Sequence, residues 1–181
     1  MKRKSRNRPI AIVVGIAVVA AAVWGVLVLR RNAGRTADRA AVAAYADTVK
    51  ELSFEGGRLL QTEIKPRVTD LREGDVTPEQ FGREADNWIG LYQDIRSRFA
   101  DATHPKRLDE AARLYDEAFA TYIEAFEAFL DASRLATQAE RNDAITDAVP
   151  IAERADKIFD RARDELEGQM RIVGLDPPSD L

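Results

Sequence analysis

The sequence predicts an all-α chain in which an N-terminal single transmembrane helix is followed by an antiparallel up-down-up-down four-helix bundle. Three observations lead there. Residues 9–29 carry no charge, and the rest of the chain falls into four stretches whose apolar residues recur in steps of three and four. Runs of β-branched residues occur only inside the uncharged stretch, and no Asn-Gly or Asp-Gly hairpin turn is present. The implied division is a basic flank (1–8), a transmembrane helix (9–29), a juxtamembrane linker (30–35), a bundle (36–174) and a tail (175–181).

The flank "MKRKSRNR" precedes "PIAIVVGIAVVAAAVWGVLVL", and "RRNAGR" follows. A helix of that uncharged length spans about 30 Å, the thickness of a bilayer's hydrocarbon core. Cleavage as a signal peptide near Ala20–Ala22 would leave "VWGVLVL" on the mature chain, so an uncleaved anchor is the expectation. The larger positive charge lies before the span, which puts the N-terminus in the cytoplasm and the bundle outside it, at the cell membrane. Ala17, Ala21 and Gly25 fall on one face of the span. Small residues at that spacing let membrane helices approach closely, a candidate contact for a homo-oligomer or for another membrane or envelope protein.

The first bundle helix (36–73) is carried by Val42, Tyr45, Val49, Leu52, Gly56 and Leu59, then Leu60, Ile64, Val68 and Leu71, with Pro66 expected to bend it. "REGD" ends it. "TPEQ" opens the second (78–102), with Thr77 as N-cap and Gln80 placed for a capping box. That helix reads Phe81, Ala85, Trp88, Tyr92, Ile95 and Phe99. The third (105–138) carries Tyr115, Phe119, Tyr122, Phe126 and Phe129, flanked by Ala111, Ala118, Ala125, Ala132 and Ala139 at every seventh place. After "ERND" the fourth (143–173) carries Ala152, Ala155, Phe159, Ala162, Leu166 and Val173, with Pro150 near its start and Gly174 as its C-terminal cap.

Simple reversal at each connection lays the seams against one another, with Phe119 opposite Trp88 and Ala162, and Phe126 opposite Phe81 and Ala155. Each such layer mixes large with small side chains, as a close-packed core requires. The aromatic stripe is therefore expected to be core. Glu110, Glu117, Glu124 and Asp131, also seven apart, form the solvated face of the same helix.

Composition removes most chemistry. The chain has no cysteine and one histidine, His104, beside Pro105 in an interhelix turn. Thiolate sites, disulfides and cysteine nucleophiles are excluded, and a di-metal carboxylate bundle would need two Glu-x-x-His motifs. No metal, cofactor or catalytic residue is expected, and "EGG" at 55–57 lies mid-helix rather than in a phosphate loop. Of the 27 Lys and Arg, eight lie in residues 1–35, which hold no acid, so the remainder carries 19 bases against 31 acids. That acidic body excludes nucleic acid as a partner.

The tripeptide "WIG" (88–90) resembles the Trp-x-Gly turn of the small helical-hairpin proteins of type VII secretion, but it lies inside a predicted helix, so no function is carried over. The expectation is a non-enzymatic accessory, assembly or interaction subunit at the extracytoplasmic face of a membrane or envelope complex. Its candidate contacts are the small-residue face of the span and four apolar residues flanking the seam: Ile89, Leu91, Ile123 and Leu130. The alternative is a ligand-sensing domain, which the bundle resembles in the four-helix sensing domains of bacterial receptors.

Overall fold

The computed structural model describes the backbone of residues 8–178 and the side chains of residues 34–178. The chain is all-helical and forms a helical bundle. Its elements are α1 (Arg8–Leu59), a π-helical turn (Leu60–Ile64), α2 (Lys65–Glu73), α3 (Pro78–Asp101), a 3-10 turn (Lys106–Leu108), α4 (Asp109–Ser133) and α5 (Gln138–Ile172). Among the described residues there is no strand, and within residues 34–178, whose side chains are described, no helix is long and apolar enough to cross a membrane. The side chains of the expected span, with Ala17, Ala21 and Gly25, lie outside the described residues.

Residues 30–35, expected as a linker, are instead part of α1, which runs as one helix of 52 residues. No helix breaker interrupts "LRRNAGRTADRAA", since a single glycine costs only about 1 kcal/mol and its neighbours are good helix formers. The last part of α1, the π turn and α2 together make the first bundle helix.

Successive bundle helices run in opposite directions. Arg67 pairs with Glu84 at 3.0 Å and Arg98 with Glu55 at 2.8 Å, which fixes the first helix against α3. Arg96 holds Asp116 through two bonds of 2.6 and 3.0 Å, tying α3 to α4, and Arg154 reaches Glu124 at 2.7 Å between α5 and α4. Helix α5 closes the ring against α1 and α2.

The expected bend at Pro66 takes the form of the π turn just before it. Proline lacks an N–H and its ring presses on the carbonyl four residues back. A wider turn, closed by the Lys65 N–H on the Leu60 carbonyl, relieves that pressure. Gly74, at φ 84°, then ends α2 in the left-handed conformation, and the Asp75 N–H returns to the Asp70 carbonyl at 2.8 Å.

Two boundaries differ from the sequence expectation. The third helix starts later than residue 105, because Ala102–Pro105 and the 3-10 turn occupy the corner. This shifts the register by a turn: Tyr92 rather than Trp88 stands against Phe119, at 5.8 Å between ring centroids. The last turn lies at residues 134–137, not at "ERND". Thr137 and Glu140 cap each other reciprocally, so helix α5 begins at Gln138, Ala139 belongs to it, and Pro150 lies in its interior. Pro150 is exposed, so the backbone group it leaves unpaired faces water. Thr77 does cap α3, accepting from the Gln80 N–H at 3.2 Å, but the Gln80 side chain donates to Glu84 and completes no box.

The aromatic stripe is core. Tyr115, Phe119, Tyr122, Phe126 and Phe129 are all buried, and so are Ala111, Ala118, Ala125 and Ala132 beside them. Glu110, Glu117, Glu124 and Asp131 are exposed and pair with Arg113, Arg154 and Arg134.

Candidate functional site

Where the first bundle helix faces α5, the core is not fully closed. A cleft of about 290 Å³ opens there, walled on one side by Ser53, Phe54, Gly57, Leu60 and Gln61 of α1 and the π turn. Its floor is the ring cluster of Tyr92, Phe119 and Tyr122, and the far wall is Asp156 and Phe159 of α5.

The glycines create it. Gly57 removes a knob that would fill the space between α1 and α5, and Gly56 beside it lets α1 lie close on the rings below. Gly56 faces inward and is needed for packing: a Cβ there would meet the Phe119 ring at 3.3 Å. Gly57 faces the opening, with nothing within 4 Å of where its Cβ would stand. The π turn begins three residues later, and such turns locally widen a helix and often accompany functional sites.

Two tyrosines organise the polar part. Tyr92 Oη donates to the Gly56 carbonyl at 2.7 Å, and Tyr122 Oη donates to an Asp156 oxygen across the cleft. Burial raises both phenols well above their ordinary value, with the neighbouring Asp156 charge adding to the effect, so each remains a donor throughout the neutral range. Asp156 itself is exposed at the mouth, and its Oδ1 is the oxygen that accepts from Tyr122. Ser53 Oγ is buried without a partner on the α1 wall. The Phe54 ring, 73% exposed, stands at the rim.

The rings of the apolar lining brace one another. Tyr92 meets Phe126 edge-on at 4.7 Å and 89°, Phe119 meets Phe159 at 6.1 Å and 74°, and Phe159 meets Tyr115 at 5.3 Å and 79°. These are the perpendicular geometries that ring quadrupoles favour. What this arrangement offers is a preformed aromatic recess with one carboxylate at its edge. No group of metal-ligating side chains occurs among the described residues.

Of the residues singled out from sequence as partner contacts, four lie among the described side chains. Ile123 and Leu130 are buried, and Ile89 and Leu91 are half-buried against the same core. Ile123 and Leu130 belong to α4, which α3 and α5 enclose, whereas Ile89 and Leu91 lie on α3 at the edge of the core. His104 stays in the interhelix corner, its ring 5.4 Å from that of Tyr45 and its Nε2 3.3 Å from Asp109. Sequence reading passed over Asp156 and Ser53. The sequence feature at this region is the Gly56–Gly57 pair, which interrupts an otherwise well-packed seam.

No protein-family model matches this chain, and no curated protein and no solved structure is similar to it.

Proposed function

We propose that the chain is a membrane-anchored, non-catalytic sensing module: residues 9–29 hold it in the bilayer, the up-down-up-down bundle stands outside the cytoplasm, and the cleft beside Gly57 receives a ligand. The anchor rests on the uncharged run with its basic flanks. One observation carries the sensing reading. The helix that walls the cleft, α1, continues without a break back to Arg8, so the binding wall and the anchor are parts of one element. A ligand that favours one packing of α1 against α5 would shift the population of α1 positions, and a continuous helix conveys such a shift along its length.

The test uses the full chain in detergent. A low-molecular-mass extract of the source cells should raise its melting temperature, since a ligand bound only to the folded state stabilises it. Gly57→Leu, which fills the cleft from an open position, should remove that rise. An equal response in both proteins would sink the cleft as the binding site. A reporter active only outside the cytoplasm, fused after Leu181, should be active; a silent fusion would overturn the topology.

A second reading, the accessory or assembly subunit, is favoured by the Phe54 ring at the rim, which offers a partner an exposed aromatic anchor next to a recess. Phe54→Ser would then weaken co-purification of a partner from mild detergent while leaving the melting response to small molecules unchanged.

A further inference from the structure

We infer that the cleft between α1 and α5 is a site for a small organic cation, an ammonium group carrying a compact apolar or aromatic body. The inference rests on the sensing reading above and specifies its ligand class. Among the described residues that line the cleft, Asp156 is the only charged side chain, and none is a lysine or arginine. One Asp156 oxygen is held by the Tyr122 hydroxyl, which fixes the carboxylate's direction and leaves Oδ2 to accept from an incoming N–H. An anion would meet that charge without compensation. A neutral ligand would leave Oδ2 no better partnered than water does.

The remainder of the lining fits the rest of such a molecule. Half-buried Phe159 and the edge of Tyr122 present ring surface to an apolar body, with Phe119 packed beneath them, and aromatic faces also attract an ammonium charge directly. At about 290 Å³ the cleft lies at the lower end of the usual range for small-molecule sites, which limits the ligand to roughly a single ring or a short branched chain. The acidic body adds a long-range field that concentrates cations near the mouth.

Three probes of one size and three charges decide it: 2-phenylethylamine, 2-phenylethanol and phenylacetate, titrated calorimetrically into the full chain in detergent micelles. The amine should bind at least tenfold more tightly than the alcohol, and phenylacetate more weakly than either. Asp156→Asn, which keeps the Tyr122 hydrogen bond, should bring the amine down to the level of the alcohol. Gly57→Leu should remove specific binding of both. Circular dichroism of the two variants, expected to match wild type, separates lost binding from lost fold. An amine preference that survives in Asp156→Asn overturns the assignment. If alcohol and amine bind equally and Gly57→Leu abolishes both, the cation is wrong while the cleft stands. If none of the probes binds above the Gly57→Leu background, the cation inference fails, and the extract experiment then decides the sensing reading by itself.

Discussion

Helix α4 and the last part of α1 solve the same packing problem in opposite ways. Helix α4 fills its inward places with rings, aliphatic side chains and small residues, is covered by α3 and α5, and leaves only a charged face in water. The α1 segment around Gly56 and Gly57 lacks side chains where it meets α5, runs into a π turn, and keeps an aromatic ring exposed beside the gap. One helix is built to be covered and the other to leave room. Density stabilises the fold, whereas incomplete density, kept rigid by its surroundings, is what a binding site requires.

The largest expected effect tests the first half of that contrast. A fragment beginning at residue 36 should be soluble and strongly helical by circular dichroism, because the core described above needs no lipid. In that fragment Phe119→Ala and Phe126→Ala should each cost about 3–5 kcal/mol in a urea melt, since both rings are nearly inaccessible and long helices collapse only partly around the cavity. Near-native midpoints for both would mean that α4 is a binding surface and not the centre of the core.

Next in size is the cap of α5. Thr137 accepts from the Glu140 N–H at 3.2 Å, and the Glu140 carboxylate accepts from the Thr137 N–H at 3.0 Å. Thr137→Ala should therefore cost about 1 kcal/mol. This residue also measures how far the sequence could be read. "TQAE" carries the capping-box signature in plain form, yet "ERND" looked more like a turn, because charged and Asn-rich clusters so often are. A reciprocal cap decides a boundary through two specific hydrogen bonds, whereas polarity only correlates with one.

The seams were legible because apolar spacing is the direct imprint of a helix face: Val42 through Leu71, Phe81 through Phe99 and the rings of α4 are inward as their steps of three and four require. Register was less so. A single 3-10 turn at Lys106–Leu108, invisible to periodicity, moves Tyr92 into the place expected for Trp88. The cleft was legible only as a gap. Asp156 reads as one more acid on a solvated face until Tyr122 is seen to donate to it across the bundle, and a pairing between residues 34 positions apart leaves no mark on local pattern.

The two glycines sharpen the comparison from the other side. Gly57→Ala should stabilise the fragment by about 0.5–1 kcal/mol, because it restores helix propensity and its Cβ enters open space. Gly56→Ala should yield less, or a loss, since its Cβ must displace the Phe119 ring from 3.3 Å. Equal gains at both sites in the same urea melt would show that the packing around Gly56 is looser than the contact distance implies.

The smallest expected effects belong to the outer face of α4. Glu117 and Glu124 each hold an arginine at 2.7 Å, Glu117 with Arg113 one turn away and Glu124 with Arg154 across to α5. All four side chains are about half exposed, so water and salt screen the attraction, and fixing two long side chains costs entropy of similar size. Alanine at either position should shift stability by no more than about 0.5 kcal/mol, with Glu124→Ala the larger because its bridge joins two helices instead of one. A loss of several kcal/mol at Glu124 would place part of the α4–α5 adhesion on the surface. The boundary between a covered helix and an open one would then run along the charged rim and not through the glycine pair.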